Sequence, residues 1–386
     1  MPLAASRSPL LPLLSKVRRA LVCLGCVGVL AGQGGTLAAD PTAEQQYWLE
    51  LVNRFRSDPQ GELDRLVNMS SPGVWDTPRS DDPSIAYALA YFGTNAADLA
   101  AQFGILASAP PLAWSSVLNN SATTYSNLMV TYDQQSHFLD ASPNIQSRLI
   151  ANGYSSNWLE AGENLFAQTQ NMIHGHAGFV IDWGDGNGPS PGFGNGIQDP
   201  AGHRNVLLNA LMKEIGIGFQ SIAIPGGNVN VTGPHVVTQH FGSRYRADGF
   251  GGYFADAILT GSVYQDTIAA DLFYTPGEGL AGVQVDVYSS ITNLLVASGL
   301  TNSAGGFNIE LIGLTDGIQY WVEAPSTGLG RQYFTLNAHV ENYNADVTYY
   351  DNVYASFAVV PEPGGAWLCF AAALHLLARR TRRRHS

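Results

Sequence analysis

Asp199-Pro200-Ala201-Gly202-His203-Arg204, continuing through Leu207, Leu208 and Leu211 into Ile215-Gly216-Ile217-Gly218-Phe219, decides how this chain is built. Asp199 suits a helix N-cap and Pro200 the first helical position, which puts His203 in the first turn of a helix. The apolar run after it reads as a buried strand, and His235-Val236-Val237-Thr238-Gln239-His240-Phe241 as a second one. Helices alternating with strands over short connections make a layered α/β unit.

Working outward, Thr42 with Gln45 three residues on has the form of a capping box. Trp48, Leu51, Val52 and Phe55 then follow at i, i+3, i+4 and i+7, one face of an amphipathic helix that Asp58-Pro59 and Gly61 end. Trp114, Leu118, Ala122, Tyr125 and Met129 mark a second helix leading into His137-Phe138, and Ile145 to Asn152 a third, stopped by Gly153. Phe179-Val180-Ile181-Asp182-Trp183 reads as helical. A Gly- and Pro-rich loop from Gly184 to Gln198 follows it.

Past residue 256 the period changes to two. Val283, Val285 and Val287 alternate with polar residues, as do Phe307, Ile309 and Leu311, and then Ile318, Tyr320 and Val322. Short strands with turns at Asn302–Gly306 and Asp316-Gly317 predict a β-sandwich over 256–350.

The 386 residues carry 45% hydrophobic and 13% charged side chains, a globular composition. Four of the 19 Lys and Arg lie in 1–39 and five in 361–386, leaving ten against 30 of the 31 acids in between. So acidic a body repels phosphate backbones and excludes nucleic acid as a partner. Its three cysteines, Cys23, Cys26 and Cys369, all fall in the terminal apolar runs, so the body has neither disulfides nor thiolate metal sites.

Lys16, Arg18 and Arg19 precede an apolar dozen, Ala20–Ala31, which is too short to span a bilayer; with the small residues before Ala39 it predicts a signal peptide over 1–39. At the other end, 360–386 holds Val360-Pro361-Glu362-Pro363, an apolar run to Ala378 and five arginines. That order resembles the PEP-CTERM sorting signal of Gram-negative bacteria. It implies an exosortase-type processing partner, transient membrane contact and delivery to the cell surface or beyond.

Trp114, His137, Gly162-Glu163-Asn164, Gly202-His203-Arg204-Asn205, Ile215–Gly218 and Val237–Phe241 stand in the order of the CAP superfamily, which 40–247 resembles. The resemblance implies an α+β fold, a three-layer α–β–α sandwich, whose cleft is lined by His137, Glu163, Asp182 and His203. Asp182 stands where the family normally has glutamate, one methylene longer. Two neutral imidazoles, His137 and His203, could bind zinc or another divalent cation, with the carboxylates orienting them. His174 and His176, two apart on a helix, point to different faces; His235, His240 and Glu214 read as ordinary structural or solvated residues.

Gly261–Asp266 and Pro276–Val283 resemble SdrD B-like and carboxypeptidase-regulatory-like repeats, which implies calcium ligands at Asp266, Asp271 and Glu278. Ile268, Ala269 and Ala270 replace acids and glycines usual there, which favours a solvated loop.

No Gly-x-Ser-x-Gly elbow, His-Glu-x-x-His helix or body cysteine supplies a familiar catalytic constellation. The reading therefore leans to a non-enzymatic extracellular protein that binds a metal and a small apolar or lipid ligand. The alternatives are a metal-assisted hydrolase and a matrix or adhesion protein that binds extracellular polysaccharide.

Overall fold

In the computed structural model the described residues are 40–139, 144–184, 194–222, 232–249, 251–341 and 347–361. The signal peptide, the cysteines and the sorting signal from Glu362 onward lie outside them. No described helix is long and apolar enough to cross a membrane.

The first helix, α1 (Ala43–Ser57), begins on the expected capping box and lays Trp48, Val52 and Phe55 into the core. Asp58 caps its end and also starts α2 (Pro59–Leu66), accepting from the Gly61 amide at 2.9 Å. Two further short helices were not anticipated: α3 (Pro83–Tyr91) and α4 (Ala96–Phe103), capped by Asp82 and Asn95. After a short hairpin of β1 (Met69–Ser71) and β2 (Val74–Trp75) and the brief β3 (Ala113–Trp114) comes α5 (Ser116–Tyr132), then α6 (Ile145–Ala151).

The central sheet orders β3, β5 (Glu214–Ser221), β6 (His235–Arg244) and β4 (Trp158–Thr169), with only β3–β5 parallel. Its two faces are read directly from the period-2 rule. Ile215, Ile217 and Val237 join α1, α2 and α7 (Met172–Ile181) in the larger core, whereas Val236 and Leu165 meet Tyr125 and Met129 of α5. The result is a three-layer α–β–α sandwich.

Glycine sets the spacing of that second layer. A Cβ at Gly216 would lie 1.9 Å from the Asn119 amide nitrogen, and one at Gly218 2.4 Å from the Ala122 carbonyl. The backbone of α5 therefore rests directly on β5, an approach only glycine permits. Ser126 Oγ closes the contact, donating to the Gly218 carbonyl and meeting Thr238 Oγ1, each at 2.8 Å.

The remaining helix, α8 (Gly202–Leu208), starts two residues later than expected. The Asp199–Pro200 peptide is cis, Ala201 is the N-cap and no side chain caps it, but His203 still falls in the first turn.

Beyond, β7 (Arg246–Ala247) and β8 (Tyr253–Ala255) lead into two facing sheets. One orders β11 (Leu295–Leu300), β10 (Gln284–Ser289), β13 (Gln319–Glu323) and β14 (Gln332–Thr335). The other orders β12 (Gly306–Glu310), β9 (Ile258–Gln265) and β17 (Val353–Val359). Val285, Val287 and Val322 meet Leu259, Phe307 and Phe357 between them, forming a β-sandwich that runs on past residue 350 to Val359. A small side sheet pairs β15 (Ala338–Glu341) with β16 (Val347–Tyr350), and β16 with β8.

The sandwich is bonded to the α–β–α layers rather than tethered. Asn352 Nδ2 donates to the carbonyls of Pro111 and Lys213 at 3.0 and 2.7 Å, while its Oδ1 accepts from the Ile258 amide. Tyr354 donates to the buried Glu50, whose carboxyl burial pushes upward despite the hydrogen bonds from Tyr354 and Gln46.

Gly216→Ala should cost about 3 kcal/mol or more of stability, since backbone and not a side-chain tip must move. Gly330→Ala, where nothing lies within 4 Å of the added Cβ, should stay within about 0.5 kcal/mol. Urea unfolding midpoints compare the two; equal midpoints would refute the close-approach account.

Candidate functional site

Glu163 sits on β4 directly across from His240 on β6 in the antiparallel register. Its Oε1 lies 2.7 Å from His137 Nδ1; its Oε2 lies 2.5 Å from Arg148 Nη2 and 2.7 Å from His240 Nε2. Arg148, from α6, also donates to the His137 carbonyl at 3.0 Å and stacks 3.9 Å over the Tyr125 ring. One carboxylate thus joins a loop, a helix and two strands. Burial alone would raise its pKa, but hydrogen bonds from His137 and His240 and the nearby positive charges outweigh that and hold it at about 2. His240, fully buried, is pushed toward the neutral form by desolvation, with Glu163 opposing.

Asp182 and His203 form the other pair. The expected helix through Trp183 ends at Ile181, and Asp182 caps it in the left-handed region at φ 59°. Asp tolerates that conformation better than most residues. The turn aims Oδ1 at His203 Nδ1, 2.7 Å away, and Oδ2 at the Arg204 amide, 3.2 Å away. Phe179 flanks the imidazole at 5.3 Å between ring centroids.

The four side chains chosen from sequence therefore make two imidazole–carboxylate pairs. Glu163 and Asn164 are neighbours on β4, so they project to opposite faces. Glu163 meets the α5–α6 layer, while Asn164 Nδ2 reaches the His203 carbonyl at 3.2 Å on the other side. Because β4 is the edge strand of its sheet, the two histidines flank one edge. Each spends Nδ1 on a carboxylate, which orients the ring and leaves Nε2 for a ligand. In donor chemistry each ring is thereby a single oriented imidazole nitrogen of the kind divalent ions accept. Among the described residues no group of three or more His, Cys, Asp or Glu is placed to hold a metal.

A cleft of about 1220 Å³ opens beside this edge. His203 and Phe179 stand on its wall with Trp183, Phe166, Tyr87 and Tyr91; His137, Glu163 and Asp182 do not. His174 also lines it, its pKa lowered to about 4 by burial, whereas His176 is buried against Glu62 at 2.9 Å.

Two readings need correction, those of Glu214 and of the calcium set, and one residue gains a partner the sequence did not show. Glu214 is buried rather than solvated, bonded to Tyr154 at 2.7 Å and paired with Arg244. His240 is part of the Glu163 network; its strand position gave no hint of this, since only the pairing register brings it opposite Glu163. The calcium set does not fit. Glu278 Oε1 already accepts from the amides of Thr267, Ile268 and Ala269, and Oε2 from Thr275. Asp266 likewise accepts from Asp271 and Leu272, and Asp271 from Phe273. These carboxylates shape the loop from within, and Asp266 and Glu278 are buried doing so.

A carboxyl whose folded pKa lies near 2 and whose ordinary value is 4.5 stabilises the fold above pH 4.5, and that contribution fades as pH falls toward 2. Glu163→Gln should therefore flatten the loss of stability between about pH 5 and pH 2. Unfolding midpoints of parent and variant across that range test it; parallel pH curves would refute it.

The family model described as the Cysteine-rich secretory protein family, CAP, matches residues 49–241, half of the chain. Among solved structures, an extracellular SCP-domain protein from Bacillus anthracis is 22% identical, with 34% of each chain covered and a TM-score of 0.25. An outer surface protein from Borrelia burgdorferi is 16% identical over 34% of this chain and 77% of its own, at a TM-score of 0.24. The major plantain pollen allergen is 15% identical over 28% and 99%, at 0.18. This chain spans about a third of the Bacillus protein. No curated protein matches it in sequence. On the match over 49–241, the chain belongs to the CAP, or cysteine-rich secretory protein, family.

Proposed function

We propose that this chain is exported and works outside the cytoplasm as a non-catalytic CAP protein that binds a divalent cation through His137 and His203. The observation that carries the metal reading is the anchoring of each ring at Nδ1 by a carboxylate, Glu163 and Asp182, at 2.7 Å. Fixing Nδ1–H in this way presents Nε2 as the lone-pair nitrogen and makes it a better donor. When bound, the ion would supply a fixed positive charge at the edge of β4 for an anchored ligand.

The non-catalytic reading rests on Glu163. A general base works best with a pKa near the operating pH, and a carboxylate held at about 2 with three donors on it is a poor one. Export rests on the terminal sequences. The basic and apolar 1–39 and the Pro-Glu-Pro, apolar and arginine order of 360–386 fit secretion followed by exosortase-type sorting to the surface. The β-sandwich then serves as spacer or adhesion module.

Calorimetric zinc titration of the purified protein near pH 7.5, about one unit above the imidazole reference pKa, should show binding that the His137→Ala/His203→Ala double variant loses. Equal uptake by parent and variant, or none by either, overturns the metal reading. Metal-dependent turnover lost in His203→Ala overturns the non-catalytic one.

A further inference from the structure

The cleft beside β4 has walls whose chemistry the metal reading leaves unused. Tyr87 and Tyr91, one turn apart on α3, stack at 5.9 Å between centroids and 21° between planes. Both line the cleft, yet they are 70% and 51% exposed, so this aromatic pair serves no core. Phe92 meets Tyr91 edge-on at 5.0 Å, and Trp183 and Phe166 continue the aromatic surface.

Between these rings the wall carries amides. Gln135, Gln168, Gln170 and Gln198 all line the cleft. Gln170 spends one donor on the Gln168 carbonyl at 3.1 Å, and Gln198 one on the Trp183 carbonyl at 3.4 Å. Gln135 is held at both ends, donating to the Leu165 carbonyl at 3.4 Å and accepting from the Ala167 amide at 2.8 Å. A primary amide has two donors and two lone pairs, so Gln170 and Gln198 keep capacity for a ligand. Among the described residues no lysine or arginine lines the cleft, Asp199 is the one acid that does, and His174, lowered to about 4 by burial, is neutral near pH 7.

We infer that this cleft binds a neutral oligosaccharide, stacked on Tyr87 and Tyr91 and hydrogen-bonded by the glutamine amides. Each feature selects for that class. Sugar rings present a flat C–H face to an aromatic platform and a rim of hydroxyls to amides. Among the described residues the wall's own side chains offer an anionic ligand no lysine or arginine to pair with. A purely apolar ligand would cover polar groups without returning their hydrogen bonds, which costs free energy. About 1220 Å³ exceeds the roughly 300–1,000 Å³ of common small-molecule pockets, which suits several linked rings. The inference goes beyond the metal reading and shares with it only His203 on the wall.

Affinity electrophoresis through gels holding neutral soluble polysaccharides (hydroxyethylcellulose, a mixed-linkage glucan, xylan and a glucomannan), run with EDTA, tests it apart from metal. The parent should be retarded by at least one of them. The Tyr87→Ala/Tyr91→Ala variant, altered only at exposed side chains, should bind that polysaccharide about tenfold or more weakly, the loss of roughly one stacked aromatic contact, while its zinc titration matches the parent. No retardation of the parent by any of the four, or equal retardation of the variant, overturns the proposal. So does uptake of a fluorescent fatty acid that the variant loses when no polysaccharide retards the parent, an outcome that assigns the same wall to an apolar ligand.

Discussion

The contact between α5 and β5 is the constraint on which the rest of the layered domain depends. With Gly216 and Gly218 facing it, the helix lies against the strand backbone itself, and the intervening Ile215 and Ile217 are sent to the opposite core. That choice fixes which face every neighbouring strand residue occupies. β6 is registered on β5 and β4 on β6, so Glu163 lands opposite His240 and turns toward α5 and α6. Adding one methyl group at Gly216 would disturb the helix, the register behind it and the carboxylate network together.

The electrostatics follow from that geometry. Glu163 is almost wholly removed from water, which by itself would favour its neutral form. Three donors from three elements reverse the outcome. The same low-dielectric surroundings that make an unpaired charge costly strengthen these hydrogen bonds, so the network holds the end of α5, α6 and β6 in one arrangement. His137 is the outermost member, its side chain 52% exposed, and so it is the one free to meet a ligand. His240, bonded to the same carboxylate but inaccessible, serves orientation alone.

Much of the fold could be read from the sequence, and what could not has identifiable physical causes. The capping box at Thr42, the apolar face of α1 and the period-2 strands of the sandwich are local patterns, written in neighbouring residues. The helices α2, α3 and α4 have local starts too: Asp58-Pro59 and Asp82-Pro83 are both N-cap and first-position pairs. Asp58-Pro59 reads first as the end of α1, and only the structure shows one residue closing a helix while opening the next. Glu214, Arg148 and His240 had no such signal. Their partners lie 30, 15 and 77 positions away, and a side chain's partner across that distance depends on register and packing rather than on the local string.

Asp182 shows how an apparent departure from the family pattern can be absorbed. A shorter side chain on a continuing helix would fall short of a partner that glutamate reaches. Here the helix ends at Ile181, two residues short of Trp183, and the left-handed turn at Asp182 swings the carboxylate onto both His203 Nδ1 and the Arg204 amide. The amide lies in the first turn of α8, where unpaired N–H groups and the helix dipole favour a negative charge. Asp182 thus orients His203 and completes a helix start that Ala201 leaves without a side-chain cap. The shorter acid and the uncapped helix account for each other, and both leave His203 held at the edge of β4 with its outer nitrogen unspent.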